Sequence, residues 1–289
     1  MINTLNNFIL KPKDKISREI NTRLLYKETE ALIKRLIIQV KRRPSTFIAG
    51  LIQPLLWLIL FGALFQNAPV GLLTSNIQYN TFLSPGIIIF TAFTGSINAG
   101  LPLIFDREFG FLNRLLIAPM ISRDSLLISS IIFNLLITLA QTCTIILCNK
   151  ILFKNIQYNN HIPFIFFITF LIALSISSLS IYLACTLPGH IEFLAFILII
   201  NLPILFSSTA LAPLSFMPYW LQIIASLNPM TYAIENIRYV MLNNIWYHDT
   251  IVMKTVWCHL NFSESITILI CIDLISFTIV KKLISYKFE

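Results

Sequence analysis

From residue 45 onward the chain is largely apolar, and the ionisable side chains that could do chemistry there form one island, Phe105-Asp-Arg-Glu-Phe-Gly-Phe-Leu-Asn-Arg-Leu-Leu-Ile-Ala-Pro119. Their types exclude several reactions. Asp106 and Glu108 straddle Arg107 instead of forming an acid/base pair, and His161, His190, His248 and His259 have no metal-ligand spacing. None of the eight glycines precedes a lysine, so the chain lacks the phosphate-cradling pattern Gly-x-x-x-x-Gly-Lys-Ser/Thr. No Cys-x-x-Cys pair occurs either; Cys143, Cys148, Cys185 and Cys271 fall in apolar runs, where cysteine acts as a small hydrophobe. What remains is contact chemistry. Phe105, Phe109, Leu112 and Leu116 recur four, three and four residues apart, the spacing of one helical stripe, while Arg107 and Arg114 lie two turns apart on another. The spacing predicts one short amphipathic helix ended by Pro119, and spacing alone favours an interfacial helix that only reverses the chain.

Long apolar segments must hold this stretch in place. Of 289 residues, 56% are hydrophobic and 12% charged, about half the charge of an ordinary soluble domain, and mean hydropathy is +0.79. Crossing a hydrocarbon core of about 30 Å takes roughly 20 apolar residues in a helix. Six segments qualify, at about 45–66, 82–104, 125–149, 162–186, 191–212 and 264–281. Helices are the only spanning form for such long, unalternating runs, so the expected fold is an all-α membrane protein with six transmembrane helices.

The formal charge of +8 reads as topology, not as nucleic-acid binding. Residues 11–43 carry eleven Lys/Arg, the loop 105–124 three, and the C-terminal tail three; only Lys150, Lys154, Arg238 and Lys254 fall on the other side. That asymmetry places both termini and the 105–124 loop on the cytoplasm-equivalent face. Residues 1–44 form an N-terminal segment with an amphipathic helix, apolar at Ile16, Ile20, Leu24, Leu32, Leu36 and Val40, expected to lie on that inner surface and to meet anionic headgroups with Lys41-Arg42-Arg43 before Pro44. Residues 45–289 form the membrane domain.

Between the fifth and sixth segments, residues 213–243 read as two short apolar helices, one after Pro218 and one opened by Asn228-Pro229. Too short to span, they predict a re-entrant hairpin on the outer side, with Glu235 and Arg238 three apart on one face. Small residues at Gly95/Ala99 and Ser96/Gly100 suit close helix approach, and Asp273 is an ionisable group inside the sixth segment, a functional hint by its cost.

The 105–119 stretch, followed by Leu227-Asn-Pro-Met-Thr-Tyr-Ala-Ile-Glu-Asn-Ile-Arg238, resembles the ABC-2 type transporter permeases, in particular their drug-resistance and nodulation-factor export branch and its plastid-encoded algal members. The resemblance covers nearly the whole chain. It implies a non-enzymatic transport subunit that works as a homodimer in the lipid bilayer with a separate ATP-binding cassette subunit, which binds the ATP; the chain itself then needs no cofactor. It further implies that Arg107, Glu108, Phe109, Leu112 and Arg114 couple the chain to that ATPase, and that Asn228, Pro229, Tyr232, Glu235 and Arg238 belong to an outer gate. The expected location is a plastid membrane or a bacterial inner membrane, which the isoleucine-rich, alanine-poor usage of an A+T-rich genome also suggests. Two rivals remain. A membrane-embedded transferase would need paired carboxylates or a histidine cluster, and a secondary transporter would show internal repeats and several intramembrane ionisable groups; neither pattern is found.

Overall fold

The computed structural model describes residues 22–65, 79–117, 124–152, 161–242 and 250–288. Expectations for Ile16 and Ile20, Pro119, Lys154 and His248 fall outside these residues. Eleven α-helices and one strand pair are described: α1 (Thr22–Arg42), α2 (Pro44–Leu64), α3 (Tyr79–Ile97), α4 (Leu101–Glu108), α5 (Phe111–Ile117), α6 (Asp124–Leu152), α7 (Ile162–Thr186), α8 (His190–Phe206), α9 (Tyr219–Leu227), α10 (Pro229–Leu242), β1 (Ile251–Lys254), β2 (His259–Asn261) and α11 (Phe262–Phe288).

Among the described residues, five helices are long and apolar enough to cross a membrane, namely Pro44–Leu64, Tyr79–Glu108, Ser125–Leu152, Ile162–Thr186 and Phe262–Lys282. They account for five of the six expected spans. The remaining expected span coincides with α8, a shorter apolar helix of 17 residues, about 25 Å long at 1.5 Å per residue and slightly short of the core thickness. It stops at Phe206 instead of continuing to residue 212, because the Asn228 side-chain amide donates to the Ile204 and Ser207 carbonyls (3.0 and 3.4 Å) and takes up acceptors that a further turn would use.

The bundle is built around α3 and α7. Some 78% of the apolar stretch through α3 and α4 is buried, against 22% of that in α2, so α3 is wrapped by neighbours while α2 turns most of its surface outward. Phe90, Phe93, Ile87, Ile88 and Ile89 of α3 are fully buried or nearly so, and pack with Ile165, Ile168 and Ile172 of α7 and Ile234 and Ile237 of α10. A smaller apolar seam joins Leu127, Ile131 and Leu135 of α6 to Ala173 and Ile181 of α7 and Val280 of α11. Two serines inside α7 bond back to their own helix, Ser175 to Leu171 and Ile172 and Ser177 to Ala173, so these two hydroxyls need no water.

The small residues at the end of α3 and in the turn after it are close-approach points. A Cβ at Gly95 would meet the Thr138 Cγ2 at 2.7 Å, and one at Gly100 would meet the Ser180 carbonyl at 2.6 Å and the Ala184 Cβ at 2.8 Å. Ser180 fastens the same joint: its hydroxyl donates to the Ile97 carbonyl (2.6 Å) and accepts from the Gly100 N–H (2.9 Å), across the short 3₁₀ turn Asn98–Gly100. Gly100→Val is therefore expected to force α4 from α7 against backbone, costing about 1–3 kcal/mol or more. A lowered thermal midpoint of the detergent-solubilised chain would show it, and an unchanged midpoint would mean that the helices are free to part there.

Two features differ from the expected all-α fold. Residues 251–261 form a small antiparallel pair between α10 and α11, with Met253 opposite Leu260 and Lys254 opposite His259. Thr255 closes its turn, the backbone N–H donating to the Cys258 carbonyl (2.9 Å) and the hydroxyl accepting from the Cys258 N–H (2.9 Å). The second difference is that residues 105–117 are not one helix. The α3 axis continues through α4 to Glu108, turns at Phe109 and Gly110, and restarts as α5. Gly110 has φ +71°, the left-handed conformation that terminates helices and that glycine alone adopts without steric cost.

Candidate functional site

The helical run from Tyr79 to Glu108 has 30 residues and is about 45 Å long, more than the hydrocarbon needs, so its last turn emerges at one end of the bundle. Successive residues of a helix point about 100° apart, and the three charged residues of that turn therefore face three neighbours. Asp106 forms an ion pair with Arg35 of α1, whose guanidinium also lies 4.6 Å from the centre of the Phe111 ring. Arg107 donates to the carbonyls of Ala184 (3.0 Å), Leu187 and Pro188 (2.8 Å), at the C-terminal end of α7. Glu108 accepts from the backbone N–H of His190, the first residue of α8, at 2.6 Å, and its other oxygen lies 2.6 Å from His190 Nδ1. That backbone N–H holds the Glu108 carboxyl below its ordinary range, against the partial desolvation that would raise it.

The break at Gly110 separates the residues expected on one stripe. Leu112 is buried at 3% exposure, whereas Phe109 stands 80% exposed in the turn. Phe109 stacks on Phe105 (ring centres 6.0 Å apart), which in turn lies 5.4 Å from the His190 ring. Arg114 is exposed on α5, and Ile117 beyond it is 86% exposed. Of the five residues expected to touch a partner, Phe109 and Arg114 thus point outward, while Arg107 and Glu108 use their polar ends on the chain itself. Arg35 and His190 complete the cluster. Spacing carries no sign of either, since their partners lie 71 and 82 residues away along the chain.

At the opposite end, α9 and α10 fold into the expected helical pair. Asn228 caps α10, its Oδ1 accepting from the Met230 N–H (3.0 Å), while its amide group ties α10 to the end of α8. Pro229 opens α10, where its missing N–H costs nothing. Tyr232 is buried, its hydroxyl donating to the Ser226 carbonyl of α9. Glu235 and Arg238 pair as their spacing predicts. Arg238 does more than that: it donates to the Thr209 carbonyl (2.7 Å) and lies over the Phe82 ring at 3.7 Å, joining α10 to α3 and to the segment after α8. Asn228, Tyr232 and Arg238 thus hold elements together. Asp273 of α11 is buried against Ser175 of α7.

Comparison with known proteins agrees with this architecture. The family model for the ABC-2 type transporter matches residues 27–242, which include most of α1, the charged turn and the α9–α10 pair. A "Putative transport permease ycf38" of Porphyra purpurea is 52% identical over 263 residues, 91% of this chain and 90% of the relative. One of Cyanophora paradoxa is 48% identical over 272 residues, covering 94% of each chain. More distantly, the "Probable doxorubicin resistance ABC transporter permease protein DrrC" of Mycobacterium tuberculosis is 28% identical over 223 residues, 75% of this chain and 77% of that one. The family match covers α2 to α10 and both clusters just described: the chain belongs to the ABC-2 type transporter family, as a membrane permease subunit of an ABC transporter.

Proposed function

We propose that the chain is the membrane half of an ATP-driven exporter, with six spans once α8 is counted, working as a homodimer with a separate ATP-binding subunit that docks on the α4–α5 turn. The observation that carries this reading is the exposure of Phe109 and Ile117 beside Arg114 on a helix end too polar for hydrocarbon. Two large apolar side chains in an aqueous loop are an unfinished contact, and the basic bias of this end supports its lying on the cytoplasm-equivalent face. The algal relatives support a plastid membrane.

On this reading, closure of the ATP-binding subunits pushes the turn and the bundles shift as rigid bodies. The α9–α10 pair is then a re-entrant hairpin on the outer side that opens a path for a lipophilic cargo, and Asn228, Pro229, Tyr232, Glu235 and Arg238 keep it in one piece while it moves. Affinity purification from native membranes is expected to bring down an ATP-binding subunit, and vesicles containing both chains to export only with ATP. A thiol introduced at Ile117 is expected to cross-link to that subunit. Labelling of the same thiol from the opposite side of the membrane would sink the reading.

A further inference from the structure

We propose that Asp106, Arg107 and Glu108 form a three-way clasp: positioning residues that make the coupling turn move as one body with α1, α7 and α8. This rests on the docking role given above to the α4–α5 turn and adds how a push there is passed on. Each bond of the clasp is directional. Arg107 sits where α7 ends and supplies N–H donors to carbonyls that have no further turn to satisfy them. Glu108 sits where α8 begins and supplies an acceptor to its first N–H.

A cation at a helix C-terminus and an anion at a helix N-terminus each complement the local dipole, so adjacent residues of α4 grip both sides of the turn 187–189 with the favourable sign. Gly189 leaves room for this grip, because a Cβ there would come within 3.1 Å of the Glu108 Oε1 and 2.7 Å of the Glu192 Oε2. Asp106 completes the clasp through Arg35, which reaches across α5 to the Phe111 ring as well. Apolar packing alone resists compression but lets helices slide and rotate. A carboxylate or guanidinium bonded to named backbone atoms resists both motions.

The clasp therefore predicts a separation between ATP turnover and transport. In vesicles holding the chain with its ATP-binding subunit, Glu108→Ala and Arg107→Ala are expected to lower transport per ATP hydrolysed by about tenfold, within the ordinary range for coupling between sites. Arg107→Lys keeps the charge but loses the planar fork, and is expected to fall between. Reversing one partner, Asp106→Arg, is expected to uncouple as well, and adding Arg35→Asp to restore coupling.

A second measurement needs no ATPase. Spin labels on cysteines introduced at the exposed positions Ile117 of α5 and Ile191 of α8 are expected to give a narrow distance distribution in lipid vesicles, broadened by Glu108→Ala. Unchanged transport per ATP together with an unchanged distribution in Glu108→Ala would overturn the clasp. So would loss of ATPase association in Glu108→Gln, since Glu108 would then be a docking residue. Failure of any ATP-binding subunit to associate with the natural chain would instead overturn the docking reading, and the distance measurement would still decide the clasp.

Discussion

Replacing both Phe109 and Ile117 by aspartate is expected to leave the chain inserted and folded but to abolish association with the ATP-binding subunit, and with it transport. The two side chains are 80% and 86% exposed, so neither supports the chain's own core. Burying a large apolar side chain against a partner is worth about 1.5–3 kcal/mol, so removing two of them forfeits roughly 3–6 kcal/mol. At 1.4 kcal/mol per tenfold, that is a loss of affinity of at least about a hundredfold before any cost of burying the new carboxylates. Leu112→Asp supplies the contrast. It lies between the two in sequence yet is 3% exposed, so the charge would enter the packing under α5 and lower the amount of folded chain instead. Co-purification of the ATPase with the Phe109→Asp/Ile117→Asp chain at the natural yield would show that this face docks nothing.

That contrast was only partly legible in the sequence. Phe105, Phe109, Leu112 and Leu116 do fall at helical spacing, but periodicity is counted on the assumption that the backbone never leaves the right-handed helical region. Gly110 leaves it, at φ +71°, and every residue after it is rotated to a new face. A glycine between two phenylalanines was the available signal. The membrane helices were read well because length and hydropathy act locally; the end of α8 was not, because Asn228, more than twenty residues later, sets it from outside. Similarly, Glu235 and Arg238 can be paired from an i, i+3 spacing, whereas the bond from Arg107 to Ala184 and the ring under Arg238 join residues 77 and 156 positions apart. The strand pair at 251–261 was missed because two short runs beside a membrane helix carry little alternation to count.

Arg238→Ala is expected to be the most damaging single substitution in the α9–α10 pair. The Arg238 side chain is 7% exposed and binds the Glu235 carboxylate, the Thr209 carbonyl and the face of Phe82 together. Truncation leaves Glu235 nearly buried without its counter-ion and unties α10 from α3, and breaking a buried pair from one side costs about 3–5 kcal/mol. For a chain of this size that corresponds to a fall of roughly 10 °C in the apparent Tm of the solubilised protein. The cost belongs to the stranded carboxylate more than to the lost bond. Arg238→Met with Glu235→Gln, which removes both charges and keeps the volume, is therefore expected to recover most of the stability. It is not expected to recover transport if the pair must hold α10 to α3 while the outer side opens, because methionine gives Phe82 a contact and gives the Thr209 carbonyl nothing. A double variant as unstable as Arg238→Ala would locate the cost in the cation's contacts with Phe82 and Thr209, and a double variant that is stable and transports normally would leave the pair with no part in the movement of the hairpin.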